Sequence, residues 1–296
     1  MTQQSAAERA PAVGGFVYPL HVLSENAPPL ISPTTTTATP PMVRDIGFAD
    51  LRAALAQGWA DFTAHRTDVM FLCLLYPALG LVLFRFAIGH QVLALLFPLA
   101  AGFALIGPVA ATGLYEMSRR LELGETVTWR TAFAVLHARA FGAIAVLGCL
   151  FAALFVIWLQ VALAIYEVFL GNAAPASFGD FLRQVFATRA GWYMIVEGNL
   201  VGFCFAVIAF AFGALSFPML IDGRFGRSTG ERMSLALGTS LHAMLMNPGP
   251  MLAWGLLVAV SVIVASVPFF LGLVVVLPVL GHATWHLYRR TVGDAA

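Results

Sequence analysis

FFLGLVVVLPVLGHATWHLYRR, residues 269–290, decides the fold of this 296-residue chain. Its roughly twenty apolar residues run up to two arginines, enough to cross a hydrocarbon core of roughly 30 Å at about 1.5 Å per residue. His282 and His286 stand one helical turn apart near the charged end, with Trp285 and Tyr288 beside them. The apolar character extends upstream to Met251. A single helix over 251–288 would be about 57 Å long, nearly twice the core thickness. Two crossings therefore meet near Ser266-Val-Pro268, in a tight hairpin.

Composition points the same way. Hydrophobic residues make up 60% of the chain and charged residues 10%, and the mean hydropathy is +0.85. A water-soluble domain carries about 25% charged residues, so lipid is the expected surroundings. The net charge of +1 shows no dominant basic patch, which argues against a nucleic-acid partner. There is no lysine, so Schiff-base chemistry is excluded. Cys73, Cys149 and Cys204 each lie in an apolar run and form no CxxC pair.

Residues 1–42 are rich in Pro, Thr, Ala and Ser and are expected to form a disordered tail, with no signal-peptide pattern. Residues 43–67 read as an amphipathic helix. Phe48, Leu51, Leu55, Trp59 and Phe62 form its apolar stripe, while Asp50, Arg52, Gln57 and Asp61 fall mostly off it. It lies in the membrane interface or packs on the bundle. Six crossings are predicted over about 68–89, 91–117, 141–170, 194–221, 251–266 and 268–288, together forming a 68–290 domain. Short helices are expected after Thr128 and through Phe178, Phe181, Leu182, Val185 and Phe186, the latter on the opposite side. Ser228-Thr-Gly-Glu231 has the capping-box form and opens a helix that runs to about Met246, where Asn247-Pro-Gly-Pro250 stops it.

Arginine placement orients the chain. Of the sixteen basic residues, all but Arg85, Arg183 and Arg189 fall on one side. The fold class is thus all-α: a polytopic membrane bundle of six helices in three hairpins plus interfacial amphipathic helices. Both termini are cytoplasmic. Spans two, four and six each carry a proline and then a polar cluster ending in arginine, a loose internal pattern.

GPVAATGLYEMSRRLELGE (107–125), FPMLID (217–222), LGTSLHAMLMNPGPMLAWG (237–255) and GLVVVLPVLGHATWHLYR (272–289) resemble a bacterial integral-membrane family, domain of unknown function 2189 (DUF2189). The resemblance spans about residues 45–291. It implies a helical fold and an inner-membrane location, not a mechanism. Members are sometimes labelled as cytochrome c oxidase subunit I. That label does not fit the seven histidines here, most of them at predicted span ends or in loops.

His282 and His286 are the candidate metal ligands, because i, i+4 spacing offers two imidazoles to one ion. A third ligand would come from His137, His242, Glu116 or Asp222. Otherwise these histidines hydrogen-bond neighbouring helices where the span ends. Glu116, Arg119, Asp222, His242, Asn247 and Trp285 form a candidate polar cluster on the same side. Trp129, Trp192, Tyr193, Trp285 and Tyr288 are expected in the aromatic belts. No catalytic motif is present. The expected function is a non-catalytic scaffold, assembly factor or accessory subunit, partnered by the bilayer and other membrane proteins. The alternative is a transporter or channel for a small solute, with haem or a transition metal at His282 and His286.

Overall fold

The computed structural model describes residues 41–65, 98–99, 107–171, 177–268 and 270–294. The first crossing, most of the second and nearly all of the tail lie outside these residues. The described chain runs β1 (Pro41–Val43), α1 (Phe48–Ala64), α2 (Thr112–Glu122), a 3-10 helix (Trp129–His137), α3 (Phe141–Leu170) and α4 (Phe178–Ala187). It continues through α5 (Arg189–Gly213), α6 (Ser216–Asp222), α7 (Thr229–Met246), α8 (Pro248–Ser266) and α9 (Leu273–Thr291) to β2 (Val292–Asp294).

Among the described residues, three helical stretches are long and apolar enough to cross a membrane: Phe141–Leu170, Arg189–Asp222 and Pro248–Ser266. Their outer faces carry exposed apolar side chains such as Leu150, Ile157, Leu200, Phe203, Leu256 and Ile263. Water would not tolerate so broad an apolar surface, and hydrocarbon would. Between α3 and α5–α6 the packing is aromatic against small. A Cβ on Gly213 would stand 2.7 Å from Phe151 Cζ, and Phe151 meets Phe217 edge-on at 5.3 Å. Close approach through small residues is how helices associate where lipid removes the hydrophobic drive.

The turn after Ser266 arises where the sequence predicts it. α9, however, begins only at Leu273 and is not among the three long apolar helices. Its second half carries His282, Trp285, His286, Tyr288, Arg289 and Arg290, and most of that half is buried rather than led out to water. α1 lies along α9 and reaches it through Leu51, Ala54, Gly58 and Phe62, the buried face. Phe48 and Trp59, expected on that face, are exposed.

A two-stranded antiparallel pair was not expected. Pro41 faces Asp294, Met42 faces Gly293 and Val43 faces Val292, so the region expected to be tail through residue 42 is strand from Pro41. Such a ribbon is marginal alone. Here the Arg44 amide also donates to the Thr291 carbonyl (2.8 Å). Asn247 Oδ1 accepts from the Ile46 amide (2.8 Å), and its Nδ2 donates to the Arg44 carbonyl (3.1 Å). The largest fully buried side chains include Trp254, Trp285, Tyr288, Phe217, Leu114 and Met117. Thus the tightest core sits at one end of the helices, where α1, α2, α6 and α9 meet.

Candidate functional site: a buried polar junction

Helical periodicity aligns the polar side chains of α9 in rows. His282, His286 and Arg289–Arg290 follow at steps of three and four, as do Trp285 and Tyr288. α1 brings Asp50, Gln57 and Asp61 against one row. α2 brings Ser118 and Glu122, and α6 ends on Asp222.

Asp61 is the hub of the first group. Ser118 Oγ donates to Asp61 Oδ2 at 2.8 Å, and His286 Nε2 stands 2.8 Å from the same oxygen. His282 Nδ1 lies 2.7 Å from Ser118 Oγ. With Asp61 ionised, the Ser118 proton goes to the carboxylate, so the hydroxyl oxygen accepts from His282 Nδ1–H. His282 is then the Nδ1–H tautomer. Its Nε2 is buried without a partner among the described residues. Ser118 is wholly buried, with its hydroxyl hydrogen-bonded to both Asp61 and His282.

Burial pushes the Asp61 carboxyl up. The hydrogen bond and charge of His286, the charge of His282 and the Ser118 hydroxyl outweigh that and hold it below its ordinary 3.8. A depressed carboxyl stabilises the fold above its unfolded value, and that contribution disappears as pH falls through the folded value. Melting of the detergent-solubilised protein is therefore expected to weaken below about pH 4, and Asp61→Asn is expected to flatten part of that limb. Acid limbs of identical slope in the two proteins would refute this.

The second group is ionic. Glu122 accepts from Arg289 Nε at 3.0 and 3.2 Å and from Trp285 Nε1 at 3.1 Å. Asp222, with its side chain 1% exposed, holds Arg224 Nε at 2.8 and 2.9 Å and accepts from the Tyr288 hydroxyl. Arg289 Nη1 lies 3.8 Å from Asp222 and so bridges the two carboxylates. Glu116 takes Arg119 through Nε and Nη2 (2.8 and 2.9 Å) and Arg120 through Nε (2.7 Å). Arg290 reaches Asp50 (3.2 Å) and Gln57 (3.3 Å).

Of the expected residues, His282 and His286 meet at Asp61, Trp285 and Asp222 meet through Arg289, and Glu116 pairs with Arg119. Asn247 stands apart as the clasp on residues 44–46. His242 and His137 are exposed and do not join the histidine pair. Trp285 and Tyr288, expected in an aromatic belt, are wholly buried, whereas Trp129, Trp192 and Tyr193 are exposed. Among the described residues, no group of three His, Cys, Asp or Glu is arranged to hold a metal ion. Asp61, Ser118 and Glu122 were not foreseen. The available signal was Ala54, Gly58 and Asp61 on one helical face, small residues leading to a carboxylate.

Long apolar helices ending in a buried ionic junction define a helical integral membrane protein. Residues 96–222 match the family model of DUF2189, described as a predicted integral membrane protein, so the resemblance read from the sequence holds over that segment. Glu116, Ser118, Glu122 and Asp222 fall inside the matched segment, whereas Asp61, His282, His286 and Arg289 fall outside it. No curated protein and no solved structure matches the chain.

Proposed function

We propose that the protein is a non-catalytic scaffold, assembly factor or accessory subunit of a membrane complex. It crosses the inner membrane six times, in three hairpins, with both termini cytoplasmic. The observation that carries this reading is that four carboxylates of the junction are all engaged from within the chain. Asp61, Glu116, Glu122 and Asp222 are each engaged by donors of this same chain. A substrate or ion site keeps some of its charge uncommitted, whereas a structural clamp does not. The layout is supported by the convergence of the arginine-bearing ends of α2, α6 and α9 on this junction. Reporter fusions are expected to find residues 1 and 296 on the cytoplasmic side, and opposite sides would overturn the layout. Purification in mild detergent is expected to recover a stoichiometric membrane partner, and a consistently solitary protein would refute the scaffold role.

The free Nε2 of His282 favours a second reading, a small-solute transporter or channel with haem or a transition metal at His282 and His286. An absorbance spectrum and metal analysis of the purified protein tests its metal branch. A signal lost in the His282→Ala, His286→Ala double variant would support it, and a colourless, metal-free protein would exclude it.

A further inference from the structure

The 3-10 helix Trp129–His137 turns an unusual face outward. It packs back along α2, where Gly113 is so close to Ala132 that a Cβ would stand 2.8 Å from the Ala132 Cβ. Its inward side is Thr131, Ala132 and Val135. Its outward side carries Trp129, Phe133 and Leu136 at 37%, 49% and 55% exposure, and exposed Phe141 opens α3 four residues beyond its end. Arg130 lies over the Trp129 ring at 5.4 Å. Arg130 and Arg139 are both exposed, and neither makes an ion pair among the described residues.

We propose that this face is a headgroup site for an anionic phospholipid of the cytoplasmic leaflet. The acyl chains would run along Phe133, Leu136 and the α3 face, and the phosphate would meet Arg130 and Arg139. Three observations converge on that occupant. The exposed apolar side chains stand directly before the first turn of α3, one of the helices apolar enough to cross a membrane. Arg130 and Arg139 stand at the two ends of this short helix, and each offers an uncompensated guanidinium that suits a phosphate in charge and fork geometry. The short helix α4 offers a contrast, because it also exposes aromatic side chains, Phe178 and Phe186, but its Arg183 is paired with Asp180 at 3.3 Å. Basic side chains unmatched by acids attract the negative cytoplasmic leaflet, and internally neutralised ones do not.

The inference rests on the membrane reading above, and native mass spectrometry separates the two. The full-length protein in mild detergent is titrated with phosphatidylglycerol or phosphatidylcholine of identical chains. Phosphatidylglycerol is expected to be retained about thirtyfold better, the order expected of two arginines at a charged surface. An Arg130→Gln, Arg139→Gln double variant is expected to retain both lipids equally, while Arg183→Gln keeps the wild-type ratio. Both arginines are exposed, so melting of the double variant should match wild type and show that the fold is intact. Equal retention of the two lipids by wild type, or an unchanged ratio in the double variant, would overturn the headgroup site alone. Extraction of the protein from membranes without detergent would overturn the membrane reading itself.

Discussion

Replacing Asp222 with alanine is expected to cost about 3–5 kcal/mol of stability, the range for removing one partner from a buried ionic cluster. The carboxylate has its side chain 1% exposed and engages three donors from two elements. Its loss leaves the Tyr288 hydroxyl, in a side chain wholly excluded from solvent, without an acceptor. It also removes the second carboxylate from Arg289, which is 5% exposed. Arg224 loses its bidentate partner, though it is less confined at 12% exposure. Tyr288→Phe, by contrast, deletes one donor and leaves Asp222 paired with Arg224, so about 1 kcal/mol is expected. The measurement is the melting midpoint in mild detergent, with size-exclusion profiles for both variants. If Asp222→Ala melts no lower than Tyr288→Phe, the cluster does not hold α6 to α9.

Much of the architecture could be read from the residues. Apolar length located α3, the α5–α6 run and α8, because a helix that meets lipid must be apolar over its whole outer surface. Local chemistry located the ends. Ser228 Oγ accepts from the Glu231 amide at 3.2 Å and Glu231 returns a bond to the Arg227 amide at 2.8 Å, so α7 begins where the capping box predicts. It ends at Met246, before Asn247-Pro-Gly-Pro250.

The junction was harder to read, for a definite physical reason. In a soluble protein the large apolar stripe of an amphipathic helix is the buried one. In α1 Leu51 and Phe62 of the apolar stripe are buried as expected, but Phe48 and Trp59 look outward, and Ala54 and Gly58 complete the packing face in their place. Over that part of the seam small size rather than hydrophobicity was the informative property. The same inversion hid Asp61, which looked like a polar residue turned away from the apolar stripe and instead lies against His286. Arg289 and Arg290 resembled ordinary membrane-exit charges. Only the fold shows that Arg289 is buried on Glu122 and that Trp285 is a hydrogen-bonded core residue rather than an interfacial anchor.

That reasoning makes Gly58 a position in α1 where a single added methyl should do disproportionate harm. An ideal Cβ there would lie 2.5 Å from the Ala283 amide nitrogen, 2.6 Å from its Cβ and 2.7 Å from its Cα. Two of those atoms are backbone of α9, so relief requires the helices to separate rather than a side chain to turn. The same seam carries Asp61–His286 and Arg290 to both Gln57 and Asp50, all at distances of 2.8–3.3 Å. Separation by even a fraction of an ångström lengthens them together. Gly58→Ala is expected to cost about 1–3 kcal/mol by overpacking, and Gly58→Val more. Gly238→Ala is the matched control. It lies on the exposed side of α7 with nothing within 4 Å of its Cβ, so higher helix propensity should leave stability unchanged or slightly raised. Melting ranks the three, and limited proteolysis locates the damage, because residues 41–65 should become cleavable in both Gly58 variants under conditions in which they resist in wild type. If Gly58→Val melts like Gly238→Ala and its N-terminal region resists protease, α1 is not seated on α9. The Asp61 contacts with His286 and Ser118 would then be absent as well.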